Sequence, residues 1–172
     1  GSEMCIRDSN CAEKRHVLTM EEVRRETEAV IDEGHKRLIA VYGEHPQSDA
    51  DYIADSMATI YATKRVTPTG NGFNNIRRIN INAAPMSIEN LRKLWRAGIG
   101  TYPVFQETYH PGRYAELHPA NTIKGNFRWR LYAMHRAMDA GIDDVAIGAL
   151  FGLYDWRFEV MGLVPHAHDL ER

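Results

Sequence analysis

The sequence predicts a parallel α/β fold, and three observations support this interpretation. First, three segments share one pattern, in which a helix ends at a glycine and an apolar strand follows; the glycines are Gly34, Gly98 and Gly141. Glycine is favoured there because it adopts a left-handed conformation without a Cβ penalty. Second, the strands that follow are nearly continuous apolar runs, as expected where helices cover both faces of a parallel sheet. Third, amphipathic helices separate the strands, which indicates right-handed crossovers.

The elements follow in the order helix, then four strand–helix pairs. The first helix begins at Thr19, and Glu22 three residues later completes a capping box. Val23, Ala29 and Val30 supply its apolar stripe. The later helices are predicted over "DYIADSMATIYATK", "SIENLRKLWRAG", "NFRWRLYAMHRAMDAG" and "WRFEVMGLVPHAHDLER".

Several segments refine this order. The strand "RRINININA" alternates polar and apolar residues, and "RVTPTGNGFNN" is predicted to be a loop from its Pro, Gly and Asn content. The last helix contains Pro165, which should kink or end it. No Gly-x-Gly-x-x-Gly follows the first strand, which argues against dinucleotide binding. A complete eight-fold β/α barrel needs about 250 residues, so this 172-residue chain could form half of one.

Composition narrows the functional classes. A formal net charge of −2 provides no basic field for nucleic acid or an anionic membrane surface. No apolar run approaches the roughly 18 residues of a membrane span. Two cysteines without metal-type spacing argue against a disulfide framework and favour a reducing compartment. We therefore expect a cytoplasmic protein with no nucleic-acid or membrane partner.

Residues 1–9, "GSEMCIRDS", show neither helical nor strand periodicity and no apolar core of a signal peptide. Back-translated, they follow a transposase adapter used in library preparation, so we interpret them as a non-native, adapter-derived leader. An expression-tag remnant or a frayed terminus is the alternative. The natural sequence would then start near Asn10, and residues 10–172 would form one domain.

Polar residues follow the first two predicted strands. Glu44 comes directly after a glycine at the end of the first strand. On the second, Asn80 and Asn82 share a face with Arg78, because side chains alternate along a strand. In parallel α/β folds functional residues lie at the carboxyl ends of strands. Each feature also has a structural interpretation, namely an ordinary Gly-Glu turn and asparagines that cap loops.

The next two strands end in a similar way. Gln106, Glu107, Tyr109 and His110 are grouped after the third apolar run. Gly148 lies in the fourth strand, where a missing side chain would let a flat ring lie against the backbone. Four polar strand ends in successive units together predict a ligand site.

Arg130 gives an independent argument for an anionic ligand. It lies about one turn inside the fourth crossover helix, where the macrodipole disfavours a cation by about 0.3–1 kcal/mol. A guanidinium held there suggests a carboxylate partner. The alternative is a solvated arginine on a helix that also carries Arg128 and Arg136. The histidines of "YHPGRYAELHP" and "PHAHDLE" lack a recognised metal-ligand spacing, so a protein-only metal site is not expected.

At these strand ends the chain resembles the radical S-adenosylmethionine (SAM) enzymes, in particular the tyrosine lyase that matures FeFe-hydrogenase (the HydG family). Its nearest sister is 2-iminoacetate synthase of thiamine biosynthesis. The resemblance runs from about Asn10 to Arg172, and the segments that carry it include "GEHP", "GIGTYPVFQETYH", "ELHP" and "AMHRAMDAGIDDVAIGALFGLYDWRFE". It implies a partial (β/α) TIM-type radical SAM barrel, truncated at both termini, with parallel strands and crossover helices. The "QETYH…HP" spacing favours the maturase.

The resemblance also implies roles for individual residues. Glu44 resembles the residue that accepts from the SAM amino group, and Arg130 matches the arginine that pairs with the SAM carboxylate. Glu107 resembles a ribose contact, Gly148 lies in the adenine-packing strand, and Asn82 is placed with these cofactor contacts. The substrate residues are expected to be Gln106, Tyr109 and His110. The resemblance matches His166 to a histidine near the second iron–sulfur site, although "HAHDLE" departs from the usual spacing.

The family's reaction begins when a reduced 4Fe–4S cluster, held by a Cys-x-x-x-Cys-x-x-Cys loop, donates an electron to SAM. A 5′-deoxyadenosyl radical then cleaves the Cα–Cβ bond of tyrosine, which gives p-cresol and dehydroglycine, and the maturase converts the latter to CO and cyanide. The cluster loop would lie before Asn10, Cys11 is not one of its ligands, and a second cluster would lie beyond Arg172. We therefore expect the chain alone to be inactive, with hydrogenase maturation proteins as possible partners of the full enzyme. A non-catalytic α/β module that binds a small ligand at the same strand ends is the alternative of a different class.

Overall fold

The computed structural model describes residues 16–171. The predictions for residues 1–15, including the leader, Cys5 and Cys11, lie outside these residues. The elements, in chain order, are α1 (Met20–Asp32), β1 (Arg37–Val41), α2 (Ala50–Ala62), β2 (Lys64–Val66), β3 (Phe73–Asn75), β4 (Arg78–Asn82), α3 (Ile88–Arg96), β5 (Tyr102–Pro103), α4 (Pro111–Leu117), α5 (Phe127–Leu131), α6 (Ala133–Asp139), β6 (Val145–Ala146) and α7 (Trp156–Leu170).

The helix ends follow the sequence signals. Thr19 caps α1 and forms the expected capping box with Glu22. Ser87 caps α3 by accepting from the backbone N–H of Asn90. Gly34 and Gly98, which follow α1 and α3, have φ angles of 92° and 83°, so the left-handed helix ends are confirmed.

The main strands run parallel in the order β1–β4–β5–β6. β1 pairs with β4 in parallel. Two backbone bonds join β4 to the start of β5, from Gly100 N–H to the Ile79 carbonyl at 2.7 Å and from Ile81 N–H to the Thr101 carbonyl at 3.0 Å. β5 pairs with β6 in parallel. The prediction of parallel strands with crossover helices is therefore confirmed, and the strands of residues 16–171 form an open array rather than a closed barrel.

The two faces of β4 have different environments. Ile79 and Ile81 are fully buried and pack with residues of α1 and α2, such as Ile31 and Met57, in one hydrophobic core. The opposite face carries Arg78, Asn80 and Asn82, as the alternation predicted. A second core lies between β5 and the helices α3 and α6.

The structure corrects two assignments in the middle of the chain. The segment predicted as a loop contains an antiparallel hairpin, in which Lys64 pairs with Asn75 and Val66 with Phe73. The helix predicted over "NFRWRLYAMHRAMDAG" is divided at Tyr132 into α5 and α6. The Arg136 guanidinium packs 3.7 Å from the Trp129 ring centroid beside this break. The periodicity of the sequence does not reveal such a contact.

The carboxyl-terminal part adds two more corrections. Helix α4 was not predicted; His110 caps it and Pro111 occupies its first turn, where the missing N–H costs nothing. Helix α7 continues past Pro165 to Leu170, so Pro165 does not end it, and the alternative that it kinks the helix stays a prediction. Among residues 16–171, no helix combines the length and apolar character needed to cross a membrane.

Candidate active site

The predicted cofactor residues Glu44, Asn82, Glu107 and Arg130 line one small cavity of about 40 Å³. Glu44 follows β1, Asn82 ends β4, and Glu107 follows β5, so the cavity lies at the carboxyl ends of three neighbouring parallel strands. Arg130 is contributed by α5. A wider cavity of about 390 Å³ adjoins it and is also lined by Glu44. The expectation that Glu44 and Arg130 face one pocket therefore agrees with the structure.

Arg130 and Glu107 form a buried ion pair in this cavity. The Arg130 Nη2 donates to Glu107 Oε1 at 2.7 Å, and its Nε donates to the Phe105 carbonyl at 2.7 Å. The two side chains are only 10% and 9% exposed. Because α5 has five residues, its dipole is weaker than the sequence argument assumed; the carboxylate and the carbonyl are what hold the guanidinium in place.

Glu107 has an unusual backbone conformation. Its φ angle is 73°, and it is the one non-glycine residue with positive φ among residues 16–171. Such a conformation costs roughly 1–3 kcal/mol and persists where surrounding contacts fix it. Here the Glu107 carbonyl accepts from Leu150 N–H at 2.7 Å, and Glu107 bridges to Ala149 beside β6.

Gly148 lies next to an aromatic ring that belongs to the protein and not to a ligand. A Cβ at Gly148 would lie 2.7 Å from Cδ1 of Phe105, a side chain that is 41% exposed. The contact explains why a glycine is needed here in this structure. A role of Gly148 in packing adenine stays a prediction.

The predicted substrate residues Gln106, Tyr109 and His110 do not line this cavity. Gln106 is 2% exposed, and neither its Oε1 nor its Nε2 has a partner within residues 16–171. His110 caps α4 through its Nδ1 and stacks on Tyr154 with ring centroids 3.9 Å apart. These contacts give His110 a structural function, and the substrate role of all three stays a prediction.

Tyr109 is held along one face of α7. Its backbone N–H donates to Glu159 Oε2 at 2.7 Å, its ring occupies the space that a Cβ at Gly162 would need, and its hydroxyl lies 2.7 Å from His166 Nδ1. Burial and the nearby Glu159 carboxylate raise the pKa of Tyr109 above its usual value. The phenol therefore remains protonated at neutral pH.

His166, the predicted metal residue, is paired with protein groups. Its ring stacks on that of His135, with centroids 6.0 Å apart, and His135 Nε2 lies 3.1 Å from Asp169 Oδ2. Burial, followed by the charge of His135, lowers the pKa of His166, and Asp169 and the Leu131 carbonyl partly offset this. Within residues 16–171 no group of three potential ligands could hold a metal ion. A metal role for His166 has no support from its neighbours and stays a prediction.

Glu159 is the main residue that the sequence reasoning missed. Its side chain is fully buried, and besides the Tyr109 N–H it accepts a hydrogen bond from the Thr108 hydroxyl. A single glutamate between Phe158 and Val160 has no distinctive spacing, so periodicity could not identify it. Only the fold shows that its carboxylate reaches the segment following β5.

The chemistry of the cavity fits the amino-acid part of SAM. A carboxylate suits an ammonium group and a guanidinium suits a carboxylate, and Glu44 and Arg130 supply these groups on one cavity. The described residues do not fit an iron–sulfur cluster, because both cysteines of the chain, Cys5 and Cys11, lie outside residues 16–171.

A parallel β/α array with a charged cavity at the carboxyl ends of its strands is typical of β/α-barrel enzymes. The radical SAM superfamily model matches residues 4–160, and the chain belongs to this family. It is 33% identical to 2-iminoacetate synthase of Salmonella typhimurium over 155 residues, which are 89% of this chain and 38% of that protein. It is 29% identical to 2-iminoacetate synthase of Escherichia coli over 154 residues, with the same coverage of 89% and 38%.

Solved structures give the same family relationship. The chain matches HydG, a maturase of the [FeFe]-hydrogenase, with a TM-score of 0.87 and 46% identity over 95% of this chain and 35% of that one. It matches the maturase HydG from Carboxydothermus hydrogenoformans with a TM-score of 0.84 and 40% identity, covering 95% and 36%. Methylornithine synthase (PylB), at 20% identity and a TM-score of 0.68, shares the fold. The resemblance is confirmed, and the chain spans less than two fifths of the length of these HydG and 2-iminoacetate synthase relatives.

Proposed function

We propose that the chain is part of a longer radical SAM tyrosine lyase that cleaves the Cα–Cβ bond of tyrosine to p-cresol and dehydroglycine. The observation that carries the proposal is the single cavity lined by Glu44, Asn82, Glu107 and Arg130 at the carboxyl ends of neighbouring strands. The identity of 46% and 40% to two HydG structures supports the maturase reaction, in which dehydroglycine yields CO and cyanide for the H-cluster of FeFe-hydrogenase. Hydrogenase maturation proteins would then be its partners.

In this proposal the residues of the cavity hold and orient SAM. Glu44 would accept from its amino group, Arg130 would pair with its carboxylate, Glu107 would contact its ribose, and Asn82 would line the same site. Bound SAM supplies the group that abstracts hydrogen from the substrate. The protein's contribution is to fix this group near tyrosine and to exclude water.

The 2-iminoacetate synthase reaction is the second candidate, supported by the 33% identity to the Salmonella typhimurium protein. Both reactions release p-cresol from tyrosine, whereas CO distinguishes the maturase. The test therefore incubates the full-length, cluster-loaded enzyme with tyrosine, SAM and dithionite. p-Cresol is measured by chromatography and CO by its absorbance change on deoxyhaemoglobin.

We expect both p-cresol and CO. p-Cresol without CO would favour the synthase reaction. Absence of p-cresol, when SAM still binds, would contradict the lyase assignment. Saturable SAM binding is also the criterion that separates the family activity from a module that binds another small ligand. The 172-residue chain serves as the comparison sample, and we expect no turnover from it.

A further inference from the structure

We propose that Glu159 is a positioning residue for the SAM site, because it holds the turn that delivers Glu107 to Arg130. The inference deepens the proposed function and rests on it. It assigns a role to a side chain that does not itself line the cavity.

The first step is the strain at the end of β5. Glu107 turns out of the strand with a φ angle of 73°, a conformation that non-glycine residues rarely adopt. On one side, backbone hydrogen bonds to the segment around β6 hold this turn. Gln106 N–H donates to the Gly148 carbonyl at 2.8 Å, and Leu150 N–H donates to the Glu107 carbonyl at 2.7 Å. Contacts on the other side must fix the residues that follow.

Glu159 supplies those contacts from α7. Its two carboxylate oxygens accept from the Thr108 hydroxyl and from the Tyr109 N–H, so the two residues after Glu107 are both held. The Thr108 Oγ1 also accepts from His110 N–H at 3.1 Å, which orients the hydroxyl hydrogen toward Glu159. The turn is therefore fixed from residue 107 to residue 110.

Burial of the Glu159 carboxylate carries a desolvation cost. Glu159 is fully buried, and no ion pair involves it among the described residues. A buried carboxylate needs compensation by hydrogen bonds, and hydrogen bonds to a charged acceptor are stronger than those to a neutral one. Glu159 therefore holds the 107–110 turn more firmly than a neutral acceptor would.

Other residues of α7 reinforce the same contact. Gly162 lies one turn after Glu159 and leaves room for the Tyr109 ring, and His166 one further turn along contacts the Tyr109 hydroxyl at 2.7 Å. One face of α7 thus binds Tyr109 from its backbone N–H to its hydroxyl. This arrangement couples the position of α7 to the Glu107–Arg130 pair.

The test measures the SAM dissociation constant of the full-length, cluster-loaded enzyme by isothermal titration calorimetry, together with the melting temperature. We expect Glu159→Ala to weaken SAM binding about tenfold, the change that corresponds to one lost hydrogen bond to a charged group. Glu159→Gln keeps an oxygen for the Tyr109 N–H and should recover part of the affinity. It also keeps the test decisive if Glu159→Ala does not fold.

Thr27→Ala is the matched control. Thr27 is also buried, and its hydroxyl donates to the Val23 carbonyl within α1, far along the chain from the turn. We expect this variant to lower the melting temperature and to leave the SAM dissociation constant unchanged. A loss of affinity that merely follows any loss of stability would appear in the control as well and would overturn the inference.

A double-mutant cycle separates positioning from a purely structural role. If Glu159 acts through Glu107, Glu159→Ala should weaken binding by less than about twofold in a Glu107→Ala background. An equal tenfold loss in both backgrounds would overturn the inference, as would unchanged affinity of both Glu159 variants. Wild-type enzyme without saturable SAM binding would instead overturn the proposed function, and this inference with it.

Discussion

The two ends of the parallel strands each carry an arginine–carboxylate pair, and the pairs differ in burial. At the amino ends, Arg78 at the start of β4 pairs with Asp144 before β6, and these side chains are 40% and 48% exposed. At the carboxyl ends, Arg130 and Glu107 are 10% and 9% exposed. Exposed pairs are screened by solvent and contribute little, whereas buried pairs are costly to break.

The comparison teaches that residue type alone does not mark the site. The amino-end pair is surrounded by other polar groups, since Thr101 Oγ1 also donates to Asp144 and Thr101 N–H donates to Asn80 Oδ1. The carboxyl-end pair instead lines a cavity with Glu44 and Asn82 and follows a strained turn. Burial, strain and an adjoining cavity together distinguish a candidate binding site from an exposed network.

The largest expected difference between the two ends comes from removing each arginine. Arg130→Ala leaves the Glu107 carboxylate buried without its partner, so we expect a loss of about 3–5 kcal/mol in the free energy of unfolding. In the full-length enzyme it should also weaken SAM binding by about 1.5–3 kcal/mol. Arg78→Ala should cost no more than about 1 kcal/mol. Denaturant titration and calorimetry measure the two effects.

Arg128→Ala is the matched control on the same helix, because the Arg128 side chain is exposed. It should change neither stability nor SAM affinity measurably. Equal losses for the Arg130 and Arg78 variants would show that burial does not separate the two ends. An unchanged SAM affinity of Arg130→Ala would contradict the assignment of the SAM carboxylate.

A second contrast concerns the glycines at the two ends. Gly148→Ala places a Cβ 2.7 Å from the Phe105 ring, and Gly100→Ala places one 2.6 Å from Asn80 Oδ1. Overpacking of this kind costs about 1–3 kcal/mol. Removing the Phe105 ring should relieve the first clash, because the ring atoms are what the new Cβ would meet. Gly148→Ala should therefore cost less stability in a Phe105→Ala background than in the wild type. Gly100→Ala should cost the same in both.

Thermal unfolding of the two glycine variants, of Phe105→Ala and of the two double variants measures this difference. Gly43→Ala is a suitable control, because nothing lies within 4 Å of a Cβ built there. If Phe105→Ala fails to reduce the cost of Gly148→Ala, the ring does not determine the need for glycine at that position.

Local signals in the sequence predicted much of this architecture. The capping box of Thr19 and Glu22 depends on residues three apart, and the faces of Ile79 and Ile81 follow from strand alternation. The hairpin around Val66 was missed, because its turn-forming residues indicated a loop. Local patterns were sufficient where the stabilising contact lies within a few residues.

The site was predicted unevenly for the same physical reason. Glu44 and Arg130 could be placed on one cavity from the strand order and the family resemblance. The contact of Glu159 with the segment after β5 spans 50 residues from Tyr109, so no local pattern reports it. The positive φ of Glu107 is likewise a consequence of these distant contacts.

The acid sensitivity of the chain should also arise at the carboxyl ends. Burial lowers the pKa of His166, which contacts Tyr109 after β5, and burial also lowers that of His118. At mildly acidic pH the unfolded state therefore binds more protons than the folded state. These neutral imidazoles contribute their full stabilisation above about pH 6.5, the pKa of histidine in the unfolded state. The stabilisation is lost as the pH falls toward the lower pKa values of the folded state.

We expect the melting temperature to fall between about pH 7.5 and pH 5.5, and His166→Gln to make that fall shallower. A wild-type slope for the His166 variant would show that this imidazole titrates equally in the folded and unfolded states.

The smallest expected effect is a salt dependence that differs between the two pairs. Asp144→Asn removes the charge from a part-exposed pair, so it should cost about 0.2–1 kcal/mol at low ionic strength. The Debye screening length falls from about 10 Å at 0.1 M salt to about 3 Å at 1 M. Most of the cost of Asp144→Asn should therefore disappear at high salt. Glu107→Gln changes a pair that solvent hardly reaches, so its larger cost should persist. Urea unfolding at the two salt concentrations measures both costs, each relative to wild type under the same conditions. If both costs fell in proportion, the Glu107–Arg130 pair would be as open to ions as the Arg78–Asp144 pair, and its burial could not be the reason that it marks the site.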